Sequence, residues 1–269
     1  MTPRLSASSY SNTAPLVWSF LYGSMRGTAE VIMDNAPARS AELLAQDRVD
    51  AALVPVIAYQ LLEETRIVPE VCVGAQTKVG SVCLVTDGRE LRDVGSVALD
   101  TSSRTSVALT KIVFREFLGF EPVWHESEPE IGSMLSQCDA ALLIGDPALR
   151  ISNETGGTSG STLRTFDLAE IWHANTGLGF VFAMWMTKRR SVPFDLAAAR
   201  DEGIANLPTI AANYATSTGL AQERMLDYLS GSISYSVDEK MHAGMDLYFS
   251  LALKHGLITQ LRPLEFVTG

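Results

Sequence analysis

Cysteine is scarce in this chain: three residues, Cys72, Cys83 and Cys138, all in apolar surroundings and at no metal-ligand spacing. They are too few and too scattered for a disulfide framework or a thiolate metal site, and they fit buried thiols in a reducing compartment. Positive charge is short as well. Lys and Arg number 21 against 31 Asp and Glu, a formal net charge of -10, which argues against nucleic-acid and anionic-membrane partners. No apolar run approaches the ~18 residues that a membrane span needs. The start, Met1-Thr2-Pro3-Arg4-Leu5-Ser6, carries no basic region followed by an apolar one, so the expectation is a cytoplasmic protein without a signal peptide. There is no G-x-S-x-G nucleophile elbow and hence no support for a serine hydrolase. The glycine- and hydroxyl-rich run 152–162 lacks the lysine and strand–loop–helix setting of a phosphate-binding P-loop and is expected to be a flexible surface excursion. The four histidines, His125, His173, His242 and His255, stand in no motif and are expected to be structural or exposed.

What is present is an alternation of short apolar runs and helical spacings. At 269 residues, 46% of them hydrophobic, the chain has ample length for a real core. Strands are expected at 4–9, 28–33 and 49–54. Between them come a helix opened by Pro15 and one with Pro37 in its first turn, capped by Asp34-Asn35. This is the pattern of an α/β sheet with parallel pairs. Apolar strands follow at 68–73 and 79–85. A second series then begins: strand 95–99, helix 105–118, strand 121–124, helix 128–136 and strand 140–144. After Asp167–Trp172 a loop is expected, then an apolar strand within 178–186. From Pro193 onward the spacing is helical, ending in a helix opened by a capping box at Ser236-Val237-Asp238-Glu239 and closed by His255-Gly256. Met241, Met245, Tyr248 and Ala252 fall on one face of it, as core packing.

The stretch Asp100–Leu109 organises the reading. A strand runs into Thr101-Ser102-Ser103, with Ser103 placed to cap a helix whose first turn holds Thr105 and Ser106. Unpaired amides at the positive end of a helix dipole, surrounded by hydroxyls, suit a carboxylate. The same stretch also fits an ordinary helix cap. Asp146, in Gly145-Asp146-Pro147, falls at the C-terminal edge of a strand, where ligands sit in open α/β sheets, and is equally a cap or turn residue before Pro147. The expected architecture is two α/β lobes with a ligand cleft between them. Residues 1–85 plus 180–269 form a discontinuous first lobe carrying the C-terminal helices, and 86–179 form the second.

Several motifs occur in an order that resembles a known family: Tyr10-Ser11-Asn12-Thr13-Ala14-Pro15-Leu16, Val49–Val56, Asp100–Leu109, Ala140–Leu149 and Asp167–Trp172. Together with the tail Tyr228–Ile258 they look like the chorismate dehydratases of the futalosine route to menaquinone. Gly179 stands where that pattern leads one to expect proline, a departure that affects strand geometry more than chemistry. The resemblance implies a periplasmic-binding-protein type II-like fold used as a cytoplasmic enzyme. It also implies a hydro-lyase that removes water from chorismate to give 3-[(1-carboxyvinyl)oxy]benzoate with neither metal nor organic cofactor.

Such a reaction needs anchors for two carboxylates, help for a leaving hydroxyl, and a base. Asn12, Ser81, Ser103, Thr105 and Ser106 are the candidate anchors, neutral donors through which an acidic protein can hold a dicarboxylate. Arg104 is a further candidate to neutralise a carboxylate. Asn12 and Asp146 are the candidate catalytic residues, Asp146 as base if the cleft desolvates it. A carboxylate of the substrate itself is the other candidate for proton acceptor. Two readings stand beside this one: the sister enzyme that makes 1,4-dihydroxy-6-naphthoate, for which a cleft histidine is expected, and a non-catalytic binding protein for a small carboxylate.

Overall fold

The computed structural model describes residues 2–157 and 162–268. The first lobe begins with β1 (Arg4–Ser8), α1 (Ala14–Leu21), β2 (Glu30–Asp34), α2 (Pro37–Ala45), β3 (Ala51–Pro55), α3 (Ala58–Leu61) and β4 (Arg66–Ala75). The second lobe contains β5 (Val82–Thr86), β6 (Ser96–Asp100), α4 (Arg104–Ile112), β7 (Val123–Ser127), α5 (Ile131–Gln137), β8 (Ala140–Ile144), α6 (Gly145–Gly157), β9 (Arg164–Asp167) and α7 (Leu168–Thr176). The chain then returns through β10 (Phe180–Thr187) to α8 (Leu196–Ala205), α9 (Leu207–Thr218), α10 (Gln222–Asp227) and α11 (Glu239–Lys254).

Each lobe is built on a five-stranded sheet, ordered β2-β1-β3-β10-β4 in the first and β7-β6-β8-β5-β9 in the second. The two share one plan. In each, three parallel strands joined by helical crossovers are followed by an antiparallel strand that has crossed from the other side of the molecule: β10 between β3 and β4, and β5 between β8 and β9. β3, β5 and β8 are buried along their whole length, which is why they read as unbroken apolar runs rather than alternating ones.

The division of the chain differs from the expected one at one edge. Val82–Val85 falls in the first lobe by the expected boundaries, but it pairs with β8 and β9 as part of β5, so the first crossing lies at 76–81. An apolar strand buried on both faces suits the centre of either sheet, and only its partners decide which. An aromatic cluster stitches the second crossing. Trp172 of α7 packs on Phe180 of β10 at 5.3 Å between centroids, and Phe180 on Tyr248 of α11 at 5.0 Å. Gly179 sits beneath this cluster. Its carbonyl accepts from Trp172 Nε1 at 3.2 Å, and a Cβ at Gly244 of α11 would lie 2.0 Å from the same oxygen.

Other expectations are corrected locally. α2 has Ala36 at its cap and no side-chain cap bond, because Asp34 turns to accept from Ala36 N instead. α11 is capped by Asp238, whose carboxylate accepts from Met241 N at 2.8 Å, not by Ser236. The helix from 104 continues past Ile112 as a π-helical turn, Val113–Leu118. The expected loop after Trp172 is the second half of α7, and β9 had no counterpart in the reading of the sequence. Of the run 152–162, residues 152–157 are the helical end of α6, while 158–161 lie outside the described residues. Among the described residues no helix is long and apolar enough to cross a membrane.

Candidate active site

The Ser103 cap forms as its sequence setting demands. Ser103 Oγ accepts from Ser106 N at 3.3 Å and donates its own hydrogen to Ser106 Oγ at 2.9 Å. The Ser106 hydroxyl hydrogen is then left over for another acceptor, beside the amides of the first turn at the positive end of the α4 dipole. Ser103 and Ser106 line a cavity between the lobes, faced from the first lobe by Ser8, Tyr10 and Asn12 and walled by Phe182 of β10. The water-accessible space inside is about 50 Å³. Ser8 and Pro55 end β1 and β3, and Ile144 ends β8, so the cavity sits where strand C-termini of both sheets converge. Among the described residues no Asp, Glu, Lys, Arg or His lines it.

The cavity is small because the lobes are closed on each other. Asp146, the second residue of α6, accepts from Ser11 N at 3.2 Å and from Ser11 Oγ at 2.5 Å. Ala38 N donates to Ser102 O at 3.1 Å. Thr105 joins the lobes through both of its oxygens, Oγ1 accepting from Ile57 N at 3.3 Å and the carbonyl from the Tyr248 hydroxyl at 3.0 Å. At the outer edge Glu116 takes Lys254 Nζ at 2.7 Å and His255 Nε2 at 2.8 Å.

The candidate residues therefore part company. Asn12, Ser103 and Ser106 meet at the cavity. Thr105 is buried but serves the lobe contact. Ser81 is fully buried behind the cavity wall, its Oγ accepting from the Tyr228 hydroxyl at 2.7 Å. Arg104 is exposed and lines a separate outer groove with Lys111 and Glu126. It lies one residue from Ser103 and two from Ser106, and the 100° step of a helix turns it away from the face they share. Asp146 is absent from the cavity lining, since Ser11 occupies its carboxylate. Burial raises its pKa above the ordinary carboxylate range, and the Ser11 hydrogen bonds pull in the opposite direction. No histidine lines the cavity.

Three residues at or behind this cavity escaped the reading of the sequence. Tyr10 stands inside a quoted motif and was legible there; burial next to Asp100 pushes its hydroxyl up to about 12. Tyr228 opens the quoted tail. Phe182 lies in an apolar strand and carries no signal of its own. Asp167 has a structural role. It caps α7 by accepting from Ala169 N and Glu170 N, and it holds the first crossing through Val79 N and Gly80 N. Among the described residues no group of three or more His, Cys, Asp or Glu side chains is placed to hold a metal ion.

Two sheets of this plan, exchanging a strand each and closing on a cavity between them, define the periplasmic-binding-protein fold. The chain is similar to the alkanesulfonate-binding protein SsuA of Xanthomonas axonopodis pv. citri, solved bound to MOPS, with a TM-score of 0.68 and 14% identity over 98% of this chain and 96% of that one. It is also similar to protein AF1704 of Archaeoglobus fulgidus, with a TM-score of 0.75 and 19% identity over 95% and 98% of the two chains. By sequence, residues 3–254 match the menaquinone biosynthesis family, and the chain belongs to it. It is 29% identical over 255 residues to a chorismate dehydratase of Thermus thermophilus, covering 89% of this chain and 91% of that protein.

Proposed function

We propose that this protein is an enzyme, a hydro-lyase that converts chorismate to 3-[(1-carboxyvinyl)oxy]benzoate and water. The observation that carries the reading is the convergence of Asn12, Ser103 and Ser106, from two lobes, on a closed, largely apolar cavity whose polar groups are neutral donors. Its likeness to a chorismate dehydratase supports the choice of substrate. Chorismate is a dianion. Hydroxyls and helix-terminal amides bind such a group without a buried countercharge, because their dipoles are fixed before it arrives.

Among the described residues no carboxylate or imidazole lines the cavity, which supports the enolpyruvyl carboxylate of the substrate itself, held against its own ring, as the base. It removes the C3 proton. The C3–H electrons form the C3–C4 double bond, the C4–O bond breaks, and the departing hydroxide takes up the proton as water. The Ser106 hydroxyl and Asn12 amide are positioned to donate to the carboxylates and to the leaving oxygen. Closure excludes bulk water and strengthens these donors. The product is an aromatic ring, which drives the reaction forward. Asp146 in this scheme fastens the lobes and is not the base.

The test is direct. Purified, chelator-treated protein is incubated with chorismate and the products are followed by mass spectrometry beside a no-enzyme control. Appearance of the dehydrated benzoate is expected. Ligand-induced stabilisation without turnover would instead make the protein a binder of chorismate.

A further inference from the structure

Behind Asn12 lies a hydroxyl that the proposed chemistry leaves without a task. Tyr228, from the turn after α10, is 5% exposed, and its hydroxyl donates to Ser81 Oγ at 2.7 Å. Ser81 belongs to the crossing between the sheets. Its carbonyl accepts from Gly145 N at 2.7 Å, so its backbone is pinned from the second lobe while its side chain is pinned from the first. Val79 and Val82, on either side of it, line the cavity. Burial holds the Tyr228 hydroxyl well above the ordinary tyrosine range, and side-chain hydrogen bonding with Ser81 and with Asn12 acts the other way. The Asn12 amide thus adjoins the same oxygen. Phenol, alcohol and amide form one chain leading into the cavity.

The direction of the chain follows from counting protons. Tyr228 has one, and it goes to Ser81. The Tyr228 oxygen can then only accept, which turns the amide nitrogen of Asn12 toward it. Ser81, having accepted, keeps its own hydrogen. A hydroxyl that accepts from a buried phenol is polarised and becomes the stronger donor for it.

We infer that Tyr228, fixed by Ser81 from behind the cavity wall, is a positioning residue for the reaction, setting the Asn12 amide as an oriented donor toward the anionic substrate. The inference rests on the dehydratase reading and deepens it. It adds a residue that touches no substrate and acts through Asn12, which lines the cavity.

Four proteins test it: wild type, Tyr228→Phe, Ser81→Ala and the double variant, each checked for native circular dichroism and a cooperative melt, then assayed for kcat/KM with chorismate. Tyr228→Phe is expected to lose about 10- to 100-fold, the size of a buried hydrogen bond that orients a group toward charge. The double variant is expected to be no worse than Ser81→Ala alone, since residues acting as one unit are not additive. A wild-type kcat/KM in Tyr228→Phe, or losses that multiply in the double variant, would overturn the assignment. If Tyr228→Phe does not fold, 3-fluorotyrosine placed at 228 keeps ring and oxygen and makes the phenol more acidic. A change in kcat/KM of about twofold or more is then expected, and no change refutes the role. Should wild type leave chorismate unreacted, the dehydratase reading fails by itself. The same four proteins are then compared by chorismate affinity, with the same pattern expected and additive losses counting against Tyr228.

Discussion

The ring of Tyr10 lies so close to Gly145 that a Cβ at position 145 would stand 2.8 Å from its Cδ2 and Cε2 atoms. Tyr10 belongs to the first lobe and Gly145 opens α6 in the second, at φ +63°. Only glycine serves both needs, the left-handed backbone and the close approach of an aromatic ring from across the cleft. Gly145→Ala should cost about 1–2 kcal/mol in backbone strain wherever the lobes stand. A further clash arises only when they close. Chorismate affinity measured by calorimetry is therefore expected to fall on the order of 10-fold or more, the equivalent of about 1–3 kcal/mol of overpacking. Unchanged affinity would show that ligand binding does not need this closed contact.

The two ends of one helical turn give opposite predictions. Ser106→Ala removes the hydroxyl that Ser103 has oriented toward the cavity. It should lower kcat/KM for chorismate by about 10-fold, with a small effect on melting temperature. Arg104→Ala, on the outer groove, should leave kcat/KM within about twofold, as for an exposed cation. A large loss in the arginine variant alone would reverse the assignment of the two faces of α4.

Asp146 gives a pH prediction with a definite sign. Its pKa is raised in the fold, chiefly by burial, so the folded state binds more protons than the unfolded chain in the titration window. Its contribution to stability is greatest below the unfolded carboxylate pKa and is lost as the pH rises through the raised folded value. Asp146→Asn cannot titrate. Wild type should therefore gain stability relative to the variant as the pH falls from neutral toward the carboxylate range, read as the difference between paired thermal melts. A difference that stays constant with pH would contradict the buried, partly desolvated carboxylate.

Gly244→Ala tests the packing of the tail on the second crossing. A Cβ there would lie 2.0 Å from Gly179 O, with Leu178 behind it, and neither is the end of a flexible side chain. A loss of about 1–3 kcal/mol is expected, visible as a melting temperature lower by several degrees, with kcat per folded molecule nearly preserved. Wild-type stability would mean that α11 can shift away from the crossing freely.

The division between what was legible and what was not follows the range of the interactions. Ser103 could be named as a cap because a cap is made within four residues, and the hydroxyls around it, with the periodicity of Leu109 and Ile112, point the same way. The parallel β1, β2 and β3 could be read because helical crossovers between apolar runs leave few other arrangements. Arg104 was legible in principle as well. Its place one residue from Ser103 already puts it on another side of the helix, facing the outer groove.

What tertiary structure alone decided lies at long separation. Nothing near Asp146 announces that Ser11, 135 residues away, occupies its carboxylate, and so nothing local separates a base from a fastening. Val82–Thr86 is apolar on both faces and would fit either sheet; pairing with β8 and β9 settled its lobe. Tyr228 meets Ser81 across 147 residues, in a contact that exists only once two lobes and the tail are assembled. Sequence by itself determined most of the elements, though not β9 or the second half of α7, together with the α/β class and the hydroxyl-rich helix start, because propensity, capping and hydrophobic period act over a few residues. The closing of the lobes determined which polar groups face the cavity and which are consumed in holding it shut, because a hydrogen-bonding group serves whichever partner the fold brings within reach.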